Sequence, residues 1–171
     1  MKSCAFTGHR PKSFPWKHDE SVDACLRLKE VLAREIENLI ACGVTDFYSG
    51  LAEGVDTWSA EIVLSLREKN PAIKVHCVLP CRTQAAQWTL AAQERHQQIQ
   101  ERADTVICLY EDYRDNCMFD RNRYLVDHSS ILLAVYNGGW RSGTGMTVRY
   151  AQKLGREIIR IDPKTEMVAN L

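Results

Sequence analysis

The chain of 171 residues carries 22 lysines and arginines against 22 aspartates and glutamates, and 45% of its residues are hydrophobic. That composition is ordinary for a globular protein, and the balanced charge excludes a global electrostatic attraction to nucleic acid or to anionic membranes. A single domain spanning residues 1–171 is the prediction that follows from this length.

Several sequence features bear on the cellular compartment. The seven cysteines are an odd number without paired spacing, which is typical of free thiols in a reducing environment. The first residues lack the apolar stretch of a signal peptide, and no apolar run approaches the length that spans a bilayer. We therefore expect a cytoplasmic protein without a membrane partner.

Apolar strand-like runs alternate along the chain with segments of helical periodicity. Strands are predicted over residues 3–7, 44–49, 73–79, 105–110, 131–136 and 158–161, and helices over residues 19–42, 55–69, 84–102, 116–127 and 146–154. This alternation predicts an α/β fold of three layers, with a mostly parallel sheet of about six strands and helices on both faces. Ligands of such sheets lie at the carboxyl ends of the strands, where the strand order reverses.

The loop after the first predicted strand combines small and cationic residues. Thr7 supplies a hydroxyl, Gly8 permits a tight turn, and His9 and Arg10 place hydrogen-bond donors beside the sheet. The rigid guanidinium fork of arginine suits phosphate or carboxylate groups. We predict that these four residues bind a ligand, because binding groups concentrate on loops that follow strands. The alternative is a loop of solvated charges.

The loop after the second predicted strand places two glycines and two acids at a strand-to-helix corner. Ser49 and Gly50 are predicted to contact a phosphate or a ribose. Gly54 belongs to the same corner, and Glu53 and Asp56 stand three positions apart at the helix start. These acids are predicted to bind ribose hydroxyls or to act as a general base. Helix capping and compensation of the helix dipole are the alternative roles.

The loop after the fifth predicted strand is rich in glycine and hydroxyl groups. A helix start of this kind presents free backbone N–H groups to an anion. Arg141 is placed to neutralise that anion, and Trp140 either covers apolar surface or stacks on a base. The predicted phosphate-binding residues are Gly138, Gly139, Ser142, Gly143 and Thr144.

Several familiar signatures are missing from the chain. No strand leads into G-x-G-x-x-G and no G-K-[ST] occurs, so neither a standard nicotinamide fingerprint nor a Walker-type loop is present. His76, Cys77 and Cys81 lack the second ligand pair of a zinc site, and core packing is the preferred interpretation. No metal site is predicted.

Five short motifs, spread over most of the chain, together resemble the YpsA-like family of the SLOG superfamily, a Rossmann-like group of nucleotide-derivative sensors and enzymes. Each motif is weak alone, but their order and their positions at strand ends make the set specific. They are the segments 7–11, 49–56, 79–81 with Trp88, 121–122 with 126–127, and 135–139 with 142–144.

The resemblance implies a Rossmann-like sheet that binds a nucleotide or a nucleotide-derived ligand, such as ADP-ribose or an NAD-related metabolite. It also adds two residues that spacing alone does not single out. Asn122 is expected to bind the ligand, and Asp127 joins Glu53 and Asp56 as a candidate catalytic acid. The catalytic residues are otherwise unknown. A bound nucleotide or ADP-ribose-like molecule is the cofactor that the resemblance implies, and a homo-oligomer is compatible with the sequence.

Two related families supply rival functions. The lysine-decarboxylase-like phosphoribohydrolases carry P-G-G-x-G-T-x-x-E, but Thr147 stands where that glutamate would be, and three residues separate the glycine pair from Gly143. A phosphoribohydrolase or N-glycosidase is therefore the first alternative to a binding or sensing protein. The DNA-processing protein A family resembles segment 49–56 and binds single strands. A patch of His9, Arg10, Lys12, Arg121, Arg123 and Arg141, with Trp16 and Trp140, makes a single-stranded nucleic-acid module the second alternative.

Overall fold

The structure is a computed structural model that describes residues 2–171. Seven strands form one sheet, β1 (Lys2–Gly8), β2 (Val44–Ser49), β3 (Lys74–Cys81), β4 (Thr105–Tyr110), β5 (Ile131–Val135), β6 (Glu157–Ile161) and β7 (Val168–Asn170). The strand order is β4-β3-β2-β1-β5-β6-β7. All neighbours are parallel except the pair β6 and β7, which is antiparallel.

Five helices cover the two faces of the sheet: α1 (Asp23–Ala41), α2 (Val55–Arg67), α3 (Leu90–Arg102), α4 (Cys117–Asp127) and α5 (Gly143–Lys153). The larger core lies under α1 and α2, where Trp58 is 1% exposed and the rings of Phe6 and Phe47 stack at 5.9 Å. The smaller core joins Leu125 of α4 and Val148 of α5 to the other face. The predicted α/β class, with helices on both faces, is confirmed.

The structure corrects several predicted boundaries. Residues 19–22 form turns before α1, because the Asp19 carboxylate accepts hydrogen bonds from the backbone and hydroxyl of Ser21 and holds a local turn. Residues 84–89 likewise precede α3, whereas α5 begins at Gly143, three residues earlier than predicted. Strand β3 runs on through Pro80, and the three-residue strand β7 makes the sheet one strand wider than predicted.

The chain reverses its direction of winding between β1 and β5. Strands β1 to β4 are laid down in sequence towards one edge, and β5 then pairs with the other side of β1. The carboxyl ends of β1 and β5, at Gly8 and Val135, are adjacent at this reversal. This is the position at which parallel α/β sheets bind ligands. The helices within residues 2–171 include none with the length and hydropathy of a membrane span.

Candidate anion-binding site

A cavity of about 400 Å³ opens at the carboxyl ends of β1 and β5, and we call it the anion cavity. Its walls come from the loop after β1, the first turns of α2 and α5, and the middle of α4. The lining residues are Thr7, Gly8, His9, Arg10, Lys12, Ser13, Ala52, Asp56, Arg121, Asn122, Arg141, Ser142, Gly143 and Thr144. Its volume lies within the range of small-molecule sites.

Gly8 sets how closely α2 approaches the end of β1. A Cβ atom at this position would lie 2.5 Å from Cβ of Val55, the first residue of α2, which is closer than real atoms pack. The absence of a side chain therefore lets the start of α2 press against the strand end. As a result, Thr7 and Asp56 border the same cavity.

His9 ties the loop after β1 to the loop after β5. Its Nε2 atom accepts a hydrogen bond from the backbone N–H of Asn137 at 3.2 Å, and its side chain is buried. Burial lowers the pKa of His9, which outweighs the opposing effect of the Asn137 contact. A neutral imidazole is the form that accepts this hydrogen bond. His9 therefore shapes the cavity wall as a neutral group.

The first turn of α5 forms the wall opposite the β1 loop. Ser142 caps the helix, because its Oγ accepts from the backbone N–H of Gly145 at 2.9 Å and donates to the carbonyl of Gly139 at 3.1 Å. The N–H groups of Gly143 and Thr144 have no acceptor within an α-helix at these first positions. Both residues line the cavity. Their N–H groups and the positive end of the helix dipole favour an anion here.

A buried acid and a buried arginine form the floor of the cavity. Nη1 of Arg121 lies 3.9 Å from Oδ2 of Asp56, and it also donates to the carbonyl of Gly50. Nε of Arg121 donates to Oδ1 of Asn122 at 2.8 Å. Burial raises the pKa of Asp56, and the attraction of Arg121 and a backbone N–H from Ala52 only partly offset this effect. The pair is held in place by backbone contacts on both sides.

The cavity is electrostatically positive although the whole chain is neutral. Arg10, Lys12, Arg121 and Arg141 contribute four cationic side chains, whereas Asp56 is the single carboxylate in the lining. Arg121 is 3% exposed, so its charge acts in a poorly solvated environment where screening is weak. An anionic ligand is the chemistry that this arrangement favours.

Nine predicted ligand-binding residues lie in the lining, namely Thr7, Gly8, His9, Arg10, Asp56, Asn122, Ser142, Gly143 and Thr144. Two other predicted residues, Ser49 and Gly50, lie behind the cavity wall and form hydrogen bonds to residues that line it. Ser49 is fully buried, and its hydroxyl donates to the carbonyl of Asp56 at 2.8 Å and accepts from the N–H of Leu51. The carbonyl of Gly50 accepts a hydrogen bond from Arg121. Neither Ser49 nor Gly50 borders the anion cavity itself.

The remaining predicted residues lie farther from the anion cavity. Glu53 and Gly54 border a neighbouring cavity, and Gly138 and Gly139 form the exposed turn before Ser142. The structure corrects Asp127 most clearly, because this residue ends α4 beside the amino ends of β1 and β5. Its carboxylate accepts a hydrogen bond from the Tyr150 hydroxyl at 2.8 Å. Asp127 thus cannot join Asp56 in one catalytic site.

The sequence prediction did not assign Lys12, Ser13, Ala52 or Arg121 to the ligand site. Lys12 and Ser13 lie in a short 3-10 helix that begins at Pro11. Proline at the first position of a helix is a local sequence signal that could have indicated this turn. Arg121 appeared only as a motif residue and as part of a basic patch. Its inward direction depends on how α4 packs, which local sequence does not encode.

The residues of the predicted nucleic-acid patch are partly buried and partly exposed. His9 and Arg121 are buried in the cavity wall. Trp16 stacks on Phe14 with ring centroids 4.8 Å apart, so it is part of the packed loop. Trp140 is 71% exposed and lies under Arg149. Arg10, Lys12, Arg123 and Arg141 are exposed, so the single-stranded nucleic-acid patch stays a prediction.

Thr147 has a structural role in this chain. Its hydroxyl donates to the carbonyl of Gly143 at 2.9 Å, and its side chain is buried in α5. The position at which phosphoribohydrolases carry a glutamate therefore supplies no acid to the cavity here. Of the residues considered for zinc, Cys77 and Cys81 are buried, and His76 contacts Asp46 and Thr105. Among residues 2–171, no group of three potential ligands fits a metal ion.

Comparison with known proteins gives a consistent picture. Residues 4–164 match the model of the YspA SLOG family. The uncharacterized SPbeta prophage-derived protein YoqJ of Bacillus subtilis is 31% identical over 153 residues, which covers 81% of this chain and 89% of that protein. A UPF0398 protein of Bacillus pumilus is 29% identical, with coverage of 80% and 74%.

A solved structure shares the fold. The X-ray structure of TM1055, a Northeast Structural Genomics Consortium target, superimposes with a TM-score of 0.57 and 14% identity. The match covers 92% of this chain and 72% of that protein. At this identity the similarity supports the Rossmann-like architecture alone.

Proposed function

The chain belongs to the YspA SLOG family, and from the anion cavity that this fold carries we propose that it binds a nucleotide-derived ligand through its phosphate groups. The favoured class is ADP-ribose or an NAD-related metabolite, as the sequence motifs imply. The observation that carries the proposal is the convergence of four cationic side chains and the start of α5 on one cavity.

The arrangement of donors supports a phosphate rather than a simple halide or a single carboxylate. Arg10 and Arg141 stand exposed at the mouth, whereas Arg121 is buried at the floor. The N–H groups of Gly143 and Thr144 add donors between them. Donors that approach from several sides suit the oxygens of a phosphate group, and arginine forks suit them geometrically.

Isothermal titration calorimetry with ADP-ribose, NAD, AMP and other nucleoside monophosphates tests this proposal. We expect at least one of them to bind, and Arg141→Ala to weaken that binding by about fivefold to tenfold through loss of a charged donor. Arg34→Ala is the matched control, because Arg34 is exposed on α1 and lies outside the cavity. Absence of binding by every probe at millimolar concentration would overturn the proposal.

A second candidate function is favoured by the environment of Asp56. This carboxylate is buried in the cavity, and burial raises its pKa. A buried carboxyl group with a raised pKa can serve as a general acid or base. Cleavage of an N-glycosidic bond in the bound nucleotide is the reaction that such a group would assist, with water as the nucleophile.

Release of free base from the nucleotide that binds best is the measurement for this second candidate. Wild-type protein should release base, and Asp56→Asn should abolish the release while the folded protein still binds the nucleotide. Circular dichroism and calorimetry on the same preparations separate a lost reaction from a lost fold. Base release that persists unchanged in Asp56→Asn would remove this acid from the mechanism.

A further inference from the structure

A second cavity, of about 230 Å³, lies beside the anion cavity, and we call it the flanking cavity. It is bordered by the loop before α1, the start of α2 and the first turn of α3. The residues that matter for its chemistry are His18, Glu20, Glu53, Thr57, Trp88 and Arg95. None of these six residues borders the anion cavity.

The two cavities lie on either side of the segment 52–57. Successive residues of the chain face opposite sides of this segment: Ala52 lines the anion cavity and Glu53 the flanking cavity, and Asp56 and Thr57 are divided in the same way. The cavities are therefore immediate neighbours, and the inference takes one ligand to extend over this segment from one cavity to the other.

The flanking cavity is unsuited to a second phosphate. Arg95 is the one arginine or lysine among its described lining residues, and its charge is already matched by two carboxylates. Its Nε donates to Oε1 of Glu61 at 2.6 Å, and its Nη1 donates to Oε2 of Glu20 at 2.7 Å. The cavity thus lacks the unmatched positive charge that distinguishes the anion cavity.

Glu53 is the acceptor that the flanking cavity offers. Its one ionic neighbour within residues 2–171 is His18, whose Nδ1 lies 3.9 Å from Oε1, beyond hydrogen-bond distance. A carboxylate in this condition can accept from two hydroxyl groups of a ribose, as acidic residues of dinucleotide-binding folds do. Half-buried Trp88, held edge-on against His96 at 5.2 Å, supplies an aromatic surface nearby.

We propose that the flanking cavity binds the nucleoside half of the ligand, with Glu53 accepting from the ribose hydroxyls and Trp88 contacting the base. This inference rests on the proposed function, because it assumes that the phosphates of the same ligand occupy the anion cavity. It identifies the ligand class as a ribonucleotide held at both ends. A free inorganic anion would fill only one of the two cavities.

Calorimetry with three probes tests the inference: inorganic pyrophosphate, ADP and 2′-deoxy-ADP. Wild-type protein should bind ADP about tenfold more tightly than pyrophosphate and than 2′-deoxy-ADP, because hydrogen bonds to a charged acceptor are strong. Glu53→Gln and Trp88→Leu should each weaken ADP binding about tenfold and leave pyrophosphate binding unchanged. In Glu53→Gln, the preference for ADP over 2′-deoxy-ADP should narrow, because a neutral amide oxygen accepts a weaker hydrogen bond than a carboxylate.

Glu68→Gln and Tyr113→Leu are matched controls, because both residues are exposed and border neither cavity. ADP binding that is unchanged in Glu53→Gln and Trp88→Leu, while Arg141→Ala weakens both ADP and pyrophosphate, would overturn this inference and leave the proposed function standing. Failure of wild-type protein to bind pyrophosphate, ADP and the probes named above would overturn both.

Discussion

Gly50 shows how one missing side chain fixes the floor of the anion cavity. A Cβ atom at Gly50 would overlap Nη1 of Arg121 and lie 2.5 Å from its Cζ. The guanidinium therefore occupies the space that any other residue would fill. Because Arg121 is buried beside Asp56, its displacement would also leave a buried carboxylate without its cationic neighbour.

We predict that Gly50→Ala lowers the free energy of unfolding by about 3 kcal/mol, through the steric overlap and the disrupted buried pair. Gly143→Ala is the control, because a Cβ atom there meets nothing within 4 Å. It should change stability by no more than about 0.5 kcal/mol. Urea denaturation of both variants is the measurement, and equal stability losses would contradict this account of Gly50.

At the scale of single residues, the sequence predicted polar groups at strand ends better than their individual roles. Thr7 lies at the end of β1, Arg10 lies just after it, and Thr144 lies in the first turn of α5. These positions alone place the three residues near the cavity. Ser49 also lies at a strand end, but its hydroxyl donates a hydrogen bond to the backbone carbonyl of Asp56 and does not reach the cavity. Which of two adjacent residues faces a ligand depends on loop conformation, and loop conformation is set by packing.

At the scale of elements, the cap of α5 links helix stability to the proposed anion site. We predict that Ser142→Ala lowers the free energy of unfolding by about 1 kcal/mol, because the bond from the N–H of Gly145 is lost. The same change should weaken pyrophosphate binding, since Ser142 also holds the turn at Gly139. Urea denaturation and calorimetry measure the two effects.

Thr89→Ala provides the comparison for this cap. Thr89 caps α3 in the same way, with its Oγ1 accepting from the N–H of Ala92 at 3.2 Å. Thr89→Ala should therefore lower the free energy of unfolding by about 1 kcal/mol as well. It should leave pyrophosphate binding unchanged, because α3 does not border the anion cavity. An equal loss of pyrophosphate affinity in both variants would show that the effect arises from general destabilisation.

The elements themselves were largely predictable from periodicity, and the errors have local causes. The glycines at 143 and 145 have low helix propensity, so the predicted start of α5 fell at residue 146, although Ser142 caps the helix earlier. Gln84 was predicted to begin α3, but its side chain is buried in a turn, where it donates to the carbonyl of Gly50. Strand β7 has only three exposed residues, too few for an alternating pattern.

Arg95 of α3 joins three elements through two carboxylates. It donates to Glu61 of α2 and to Glu20 in the loop before α1, and Lys29 of α1 also contacts Glu20. Burial alone would raise the pKa of Glu20, but the hydrogen bonds from Arg95 and Lys29 outweigh it and lower the pKa from 4.5 to about 2. Because the pKa of Glu20 is depressed, the stability that these contacts contribute depends on pH.

A depressed pKa stabilises the fold wherever the carboxylate is ionised. The contribution of Glu20 should be complete above pH 4.5 and lost as the pH falls towards about 2. Allowing for partial exposure, we predict that Glu20→Gln costs about 2 kcal/mol at neutral pH and progressively less below pH 4.5. Urea denaturation across this range is the measurement. A cost that stays constant with pH would contradict the ion-pair explanation, and Glu68→Gln should show no such dependence.

At the scale of the whole molecule, the alternation of strands and helices predicted the architecture but not the strand order. The position of the site follows from the order, because β5 returns to pair with β1 after the chain has built β2 to β4. The sequence contains no local signal for this return. The sequence does contain clusters of glycine and hydroxyl residues after β1 and β5. Such residues are typical of the strand ends that meet where the strand order reverses, because ligands bind there.

All seven strands share one sheet, and both helical layers pack on it. We therefore predict that the chain unfolds as one cooperative unit, so that tryptophan fluorescence and far-ultraviolet circular dichroism give coincident urea transitions. A ligand that binds only the folded state should raise the free energy of unfolding by about 2.7 kcal/mol at a hundred times its Kd, and should shift both signals equally. Transitions that separate, or a ligand shift confined to one signal, would show that the layer bearing α5 folds independently of the rest.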